Sequence, residues 1–264
     1  MTDEALNQRP ACLVTRPQHQ NKTLIELLDQ AGWTPIAFPS IEIVETPDSA
    51  ALQALPRLIR QYDIALFVSR NAVDFTFRHI TPDDLPPALQ LGVIGKGSWQ
   101  ALQQQGVASS IIPADSFNSE GLLASQALQQ VAGKRILILR GQQGRNLLGD
   151  SLRERAATVD YLEVYRRVVP QYPANHLEQL TQANFPQLAI FTSAEGLRNT
   201  LQIVSREMAE RLRGIAWLLI SERMRETALN LGHNADTIIA VSASDEGIVE
   251  AIKRWQTSKK ITHE

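Results

Sequence analysis

The chain has 264 residues and a formal net charge of −2, and 44% of its residues are hydrophobic while 20% are charged. This balance is typical of a globular protein, and the length is sufficient for two domains of ordinary size. The near-neutral charge argues against duplex nucleic acid as a partner, because such binding depends on neutralising phosphates with basic residues. A small anion is a suitable ligand, since a local site needs only a few donors.

The N-terminal segment 1–10 is polar, and no apolar run approaches the ~18 residues of a membrane span. We therefore expect a cytoplasmic protein with no membrane partner. Its single cysteine, Cys12, excludes an intrachain disulfide and a cysteine-based metal cage, and the apolar run after it indicates a buried core thiol. The histidines show no metal-binding spacing, and no phosphate loop or GxSxG motif occurs. We expect no metal and no cofactor.

Short apolar runs alternate along the chain with segments of helical periodicity. The predicted strands are, in chain order, 12–15, 64–68, 91–94, 111–113, 135–139, 188–192, 217–220 and 237–241. Between them, apolar residues at helical spacing, such as Leu24, Leu27 and Leu28, predict helices that end at glycines such as Gly32 and Gly106. This alternation predicts right-handed βαβ units and mostly parallel sheets. The polar residues 256–264 lack an apolar period and predict a tail.

Four segments of the first half recur in the same order in the second half. The matching pairs are 13–16 with 137–140, 67–69 with 191–193, Gly95 and Gly106 with Ser221 and Gly232, and 119–122 with 245–248. Recurrence of several segments at a nearly constant offset indicates a duplicated α/β unit. We therefore expect two similar domains that face each other.

Polar residues follow the predicted strands at the positions where open α/β sheets bind ligands, beyond the carboxyl ends of the strands. Helix N-termini also present free N–H groups there. The residues at these positions are mostly Ser, Gly and Arg, and they include Arg16, Ser69, Asn71, Gly95, Ser119, Arg140, Ser193, Ser221, Arg223 and Ser244. If the edges of two domains face each other, they form a cleft for an anion with several carboxylates or phosphates. Alternatively, each serine only caps its helix, an ordinary role worth about 1 kcal/mol.

Arg16 and Arg140 occupy equivalent positions of the repeat, each just past a strand. A guanidinium group suits a carboxylate ligand because its fork holds both oxygens, whereas the alternative role is a salt bridge within a loop. Tyr165 lies in a predicted strand near the crossing between the halves. It either packs there as an ordinary half-buried strand residue or reaches the cleft.

The motifs of the chain, taken in order, resemble the uroporphyrinogen-III synthase family over about residues 12–255. They are LVTRP at 13–17, FVSRNAV at 67–73, LGVIGKGSWQAL at 91–102, SEGLL at 119–123, ILRGQQGRNLL at 138–148, EVYRR at 163–167, FTSAEGL at 191–197, LISERMRETALNLG at 219–232 and DEG at 245–247. The ordered set is far more specific than any single motif.

The resemblance implies an α/β fold of two flavodoxin-like domains, each a parallel sheet with helices on both faces, joined by a two-stranded linker. One domain would take residues 1–40 and 171–264, and the other would take 45–165. The linker strands would lie at about 39–44 and 163–170. This division agrees with the sequence repeat if the two halves exchanged their first βαβ segment.

The resemblance also implies a hydro-lyase of haem and siroheme biosynthesis. Such an enzyme cyclises the linear tetrapyrrole hydroxymethylbilane with loss of water, and it inverts ring D through a spiro-pyrrolenine intermediate. The family's matching tyrosine assists departure of the substrate hydroxyl, and here it is Tyr165. No cofactor is implied, and the many carboxylates of the substrate suit the polar strand ends.

Main-chain amides and hydroxyl groups hold those carboxylates in the family, and the matching positions here are Ser69, Gly95, Ser193 and Ser221. Some members carry Thr-Thr where this chain has Arg223-Met224. A hydroxyl contact proposed for that loop therefore does not carry over, and Arg223 offers a charge in its place.

We expect a monomer that takes a small-molecule substrate and makes transient contact with the preceding enzyme of the pathway. One rival interpretation is a non-catalytic, two-lobed α/β protein that binds small anions; the polar N-terminus and the ordered motifs argue against it. Another is a flavin or nucleotide enzyme, against which the missing phosphate loop argues.

Overall fold

Strands and helices alternate through the whole chain in the computed structural model, which describes residues 9–113, 116–142, 144 and 146–262. The strands are β1 Ala11–Val14, β2 Thr34–Ala37, β3 Glu42–Glu45, β4 Ile64–Phe67, β5 Gln90–Val93, β6 Arg135–Gly141, β7 Thr158–Val168, β8 Leu188–Phe191, β9 Ala216–Leu219 and β10 Thr237–Ile239. The helices are α1 Lys22–Gln30, α2 Ser49–Leu58, α3 Arg70–Thr76, α4 Lys96–Gln104, α5 Ser119–Leu123, α6 Leu147–Glu154, α7 His176–Leu180, α8 Ala194–Ile203, α9 Arg206–Arg213, α10 Glu222–Asn230 and α11 Asp245–Thr262.

The chain divides into two compact units. Unit 1 consists of the described parts of Met1–Glu42 and Val168–Glu264, and unit 2 consists of those of Ile43–Arg167. Each unit has its own five-stranded sheet, in the order β2-β1-β8-β9-β10 for unit 1 and β3-β7-β6-β4-β5 for unit 2. The pairs from β2 to β10 in unit 1 and from β7 to β5 in unit 2 are all parallel. The prediction of an α/β fold with parallel sheets is therefore confirmed.

The sequence repeat corresponds to a shared strand order. In unit 2 the order β7-β6-β4-β5 matches the order β2-β1-β8-β9 of unit 1, strand for strand. Beside β5, Ile111 forms an isolated parallel bridge with Gly92, at the position that β10 occupies beside β9. The prediction of a strand at 111–113 is wrong beyond this bridge, because Pro113 has no N–H to donate to a continuing ladder. Each unit thus combines strands from both halves of the repeat.

The segments expected to be linker strands contribute to the sheet of unit 2. Strand β3 lies at the edge of that sheet beside β7, which is its longest strand. The backbone N–H of Thr46 also donates to the carbonyl of Val164 at 3.5 Å. These segments are therefore regular sheet strands as well as connections along the chain.

The core of each unit lies on both faces of its sheet. Strands β1, β4, β8 and β9 are buried at every residue, as expected for central parallel strands with two covered faces. In unit 1 one face packs against Leu24 of α1 and Ile252 of α11, and the other packs against Leu197 of α8 and Leu212 of α9. In unit 2, α2, α3 and α4 cover one face, while α5 and α6 cover the other.

The C-terminal segment is helical, so the prediction of a tail at 256–264 is wrong over its described part. Helix α11 continues to Thr262. Trp255 Nε1 and Lys259 Nζ both contact Asp236 Oδ2, at 3.0 and 2.7 Å. These contacts support the last turns against the start of β10, and the Gln and Lys residues there favour a helix.

Candidate active site

The carboxyl edge of the unit 2 sheet brings several of the predicted residues together. Ser69 follows β4 and caps α3, where its Oγ accepts the N–H of Ala72 at 3.0 Å. Gly95 follows the neighbouring strand β5 and precedes α4 in an extended conformation. Because β4, β5, β6 and β7 are parallel, their carboxyl ends lie at this same edge.

Tyr165 lies at this edge in β7, and the residue is 6% exposed. Its Oη lies 3.1 Å from Ser69 Oγ, so the two hydroxyl groups form a hydrogen bond. The ring of Phe75 packs against the Tyr165 ring with 5.8 Å between centroids. Tyr165 therefore has a buried ring and a hydroxyl group held at the sheet edge.

The backbone of Gly141 lies against the ring of Tyr165. The register of β6 and β7 shifts between Arg140 and Gly141, so that Arg140 pairs with Glu163 and Gly141 pairs with Tyr165. A Cβ atom on Gly141 would lie only 2.5 Å from Tyr165 Cζ. The missing side chain thus lets the backbone of β6 approach the aromatic ring. We did not predict this role from the sequence, although a glycine at the end of a strand is a known signal of close approach.

Gly95 leaves the first turn of α4 open. A Cβ atom at Gly95 would meet nothing within 4 Å. The early N–H groups of a helix lack intrahelical partners and suit an anionic group. Asn71, in contrast, is buried in the first turn of α3 and is engaged in an interaction within the chain.

Arg140 is extensively bonded within its own loop. Its Nη1 donates to the carbonyl of Gly144 at 3.1 Å and to Asn146 Oδ1 at 2.9 Å, and its Nη2 lies 3.4 Å from Glu163 Oε1. The guanidinium also stacks 3.9 Å from the centroid of the Tyr161 ring. These contacts hold the segment after β6 in place, which is the salt-bridge alternative left open by the sequence.

Arg16 has a similar setting in unit 1. Its guanidinium pairs with Asp245, in the first turn of α11, and donates to the carbonyl of Ala243 at 3.0 Å. Only 11% of its side chain is exposed. The repeat thus places both arginines in ion pairs that anchor the loops at a sheet edge.

The remaining predicted residues lie at the carboxyl edge of the unit 1 sheet. Ser193 caps α8 by accepting the N–H of Gly196 at 2.9 Å. Ser221 precedes α10 without making the equivalent side-chain bond. Arg223 is exposed in the first turn of α10. Among these three residues, Ser221 and Arg223 therefore have the polar groups with the fewest contacts inside the protein.

Among the residues that the structure describes, the other reactive groups do not form a second centre. Burial raises the pKa of the Cys12 thiol to about 12, so this thiol is inert near neutral pH. The described ranges contain no cluster of three or more His, Cys, Asp or Glu residues that could hold a metal ion. Within the same ranges no helix has the length and apolar character needed to cross a bilayer.

The fold and the site define a class: an α/β protein of two units whose parallel sheets present hydroxyl groups and helix N-termini at their carboxyl edges. Residues 22–250 match the family model described as uroporphyrinogen-III synthase HemD. The uroporphyrinogen-III synthases of Salmonella typhimurium strain LT2 and Escherichia coli strain K12 are each 30% identical to the chain over 244 residues. Each alignment covers 91% of this chain and 99% of the relative.

Solved structures support the fold. A mutant uroporphyrinogen III synthase from the extremely thermophilic bacterium Thermus thermophilus matches with a TM-score of 0.58 and 16% identity, covering 94% of this chain and 99% of the other. The synthetase from Helicobacter pylori 26695 matches with a TM-score of 0.59 and 14% identity, covering 94% and 100%. The chain belongs to the uroporphyrinogen-III synthase family, the cyclising lyases of tetrapyrrole biosynthesis.

Proposed function

We propose that this chain converts hydroxymethylbilane into uroporphyrinogen III, closing the linear tetrapyrrole with loss of water and inversion of ring D. Membership of the family supports the reaction. The observation that carries the catalytic role is the position of Tyr165, whose hydroxyl group lies at the carboxyl edge of the unit 2 sheet in contact with Ser69.

In this proposal Tyr165 is the proton donor. The C–O bond of the substrate hydroxymethyl group breaks as the oxygen takes the proton, so that water leaves and ring A becomes an azafulvene cation. Ring D then attacks through its substituted carbon to give the spiro-pyrrolenine, which fragments and recloses with ring D inverted. Loss of a proton on reclosure restores the aromatic pyrrole and returns the proton that Tyr165 gave. The reaction is redox-neutral, and we propose no cofactor for it.

The carboxylates of the substrate require donors. We assign this role first to the amides at the start of α4 after Gly95, to the hydroxyl of Ser221 and to the cation of Arg223, because these groups have few contacts inside the protein. Ser69, Asn71 and Ser193 line the same edges, and Arg16 and Arg140 support them from their loops. A backbone amide or a serine hydroxyl donates to a carboxylate without bringing a large side chain into the site.

The test supplies freshly made hydroxymethylbilane to the protein, oxidises the products and separates the uroporphyrin isomers. An excess of the type III isomer over the enzyme-free control supports the proposal, and formation of type I alone contradicts it. Tyr165→Phe should lower kcat by roughly 100-fold or more, the usual contribution of a positioned proton donor.

Tyr62→Phe is the matched control for that variant. Tyr62 is the other tyrosine of unit 2 that is more than nine-tenths buried, and its Oη donates to Asp160 at 2.9 Å near the amino ends of the strands. The substitution removes one phenol hydroxyl in each case. An equal loss of turnover in both variants would remove Tyr165 from the mechanism.

We further propose that the protein acts as a monomer in the cytoplasm, taking its substrate from transient contact with the preceding enzyme. The near-neutral charge and the mixed polar surface are compatible with a freely diffusing enzyme. Sedimentation of the purified chain at several concentrations tests the monomer. A mass that doubles with concentration would contradict it.

A further inference from the structure

The hydroxyl groups of Ser69 and Tyr165 form part of a longer chain of hydrogen bonds. Ser69 Oγ accepts the backbone N–H of Ala72 at 3.0 Å and lies 3.1 Å from Tyr165 Oη. A serine hydroxyl has one hydrogen and two lone pairs. The Ala72 N–H uses one lone pair, so the hydroxyl retains one lone pair and its own hydrogen for Tyr165.

The direction of the second bond follows from the first. An oxygen that already accepts a hydrogen bond is a better donor, because successive bonds in a chain polarise one another. Donation from Ser69 Oγ to Tyr165 Oη is therefore favoured over the reverse direction. In that arrangement Tyr165 does not donate its phenol hydrogen to Ser69.

The position of Tyr165 Oη depends little on Ser69, because the ring is held independently. The backbone of Gly141 lies against one part of the ring, and Phe75 packs against it at 5.8 Å. Rotation of the O–H bond about the C–O axis is the freedom that remains. A partner that accepts a hydrogen bond from Tyr165 Oη would hold the phenol hydrogen on itself. A partner that donates to this oxygen instead turns the phenol hydrogen toward a different acceptor.

We propose that Ser69 is a positioning residue that directs the phenol hydrogen of Tyr165 toward the leaving oxygen of the substrate. This inference rests on the proposed role of Tyr165 as proton donor. Ser69 Oγ donates its hydrogen to a lone pair of Tyr165 Oη. The phenol hydrogen of Tyr165 then moves to the substrate oxygen as the C–O bond breaks. The phenolate that forms keeps the Ser69 hydrogen bond and is reprotonated by the proton lost on ring closure.

Ser69→Asp tests the direction of donation. Aspartate is also a good cap, so its carboxylate retains the Ala72 N–H. A carboxylate only accepts hydrogen bonds, so it captures the phenol hydrogen of Tyr165. We expect kcat to fall by at least roughly tenfold, while Ser69→Thr, which keeps the hydroxyl and the cap, stays within about threefold of the parent. KM is measured separately, because the new charge also repels an anionic substrate.

A double-mutant cycle separates this role from a structural one. In the Tyr165→Phe background there is no phenol hydrogen to capture, so Ser69→Asp should change kcat by less than about twofold. An equal fall of kcat in both backgrounds, or an effect on KM alone, would overturn the inference. Asp48→Ala is the control for a lost cap in the same unit, since Asp48 caps α2 through the N–H of Ala51 at 3.2 Å, and it should lower the melting temperature without changing kcat.

The same set of variants distinguishes the proposed role of Tyr165 as proton donor from the proposed role of Ser69 as positioning residue. If Tyr165→Phe alone retains the turnover of the parent chain, the role of Tyr165 as proton donor fails, and this inference fails with it. If Tyr165→Phe is slow but Ser69→Asp retains the parent kcat, only the role of Ser69 is wrong.

Discussion

Gly141 is the residue whose substitution tests the candidate site most directly. A Cβ atom there would lie 2.5 Å from Tyr165 Cζ and 2.9 Å from Tyr165 Oη, well inside van der Waals contact. The ring cannot move away freely, because Phe75 packs against it. The absence of a side chain at position 141 is therefore a requirement for the observed position of the phenol.

We predict that Gly141→Ala lowers kcat to a degree comparable with Tyr165→Phe and destabilises the fold by about 1–3 kcal/mol through overpacking. Steady-state kinetics and urea unfolding measure the two effects. Gly214→Ala is the control, because a Cβ there meets no atom closer than 3.5 Å. Parent-like turnover in Gly141→Ala would show that the orientation of Tyr165 is irrelevant to the reaction.

At the scale of elements, the first half of α11 is buried in the core, whereas its later turns carry an exposed ion pair. Ile248 and Ile252 in its first turns are almost fully buried in the unit 1 core. Beyond Trp255, Lys259 forms an ion pair with Asp236, and the two side chains are 51% and 44% exposed. The first half therefore contributes to the core, whereas the last turns contribute an exposed polar contact.

We predict that deleting residues 257–264 lowers the free energy of unfolding by no more than about 1 kcal/mol, the value of an exposed ion pair. Ile252→Ala should cost about 2–5 kcal/mol, because it leaves a cavity in a packed core. Chemical denaturation of both variants measures the difference. A deletion as costly as Ile252→Ala would mean that the last turns have a larger structural role than their contacts indicate.

At the scale of the whole molecule, a buried histidine makes stability depend on pH. His233 stacks on Trp217 with 4.1 Å between ring centroids and is 4% exposed. Its ring nitrogens lie 3.1 Å from the carbonyl of Arg213 and 3.2 Å from that of Asp236. Burial lowers the pKa of His233 below its ordinary value of 6.5, although the two carbonyls and the charge of Asp236 oppose the shift.

His233 consequently binds a proton less readily in the folded protein than in the unfolded chain. The stability that neutral His233 contributes is fully present above pH 6.5 and is lost as the pH falls through the lowered pKa. We predict that His233→Phe, which keeps an aromatic ring on Trp217, reduces the slope of stability against pH in this range. Urea unfolding at several pH values between about 5 and 7 checks it. Equal slopes in the variant and in the parent protein would contradict the prediction.

Asp236 contributes to the pH dependence of stability in a separate, more acidic range. Hydrogen bonds from Lys259 and Trp255 hold the pKa of its carboxyl below the ordinary value of 3.8. Its contribution to stability is therefore present above pH 3.8 and is lost only in stronger acid. Measurements near neutral pH thus report on His233 without interference from Asp236.

Much of the fold was predictable because its signals are local. Apolar runs such as those at 64–67 and 188–191 become strands buried at every residue. Gly32, Gly106 and Gly232 follow helices at positive φ, which is the backbone conformation that favours glycine at a helix end. The end of α11 was missed because its polar residues carry no apolar period, although they support a helix once Asp236 is nearby.

By itself, the sequence determined the alternation of strands and helices, the parallel sheets and the repeated order of segments, because these depend on periodicity and on nearby residues. The tertiary structure alone decided the partners of the site residues. Ser69 and Tyr165 are 96 positions apart, and Arg16 and Asp245 are 229 apart, and sheet formation brings each pair into contact. Both contacts depend on strand order, and the contact of Ser69 with Tyr165 also depends on the register shift at Gly141; no local pattern specifies either feature.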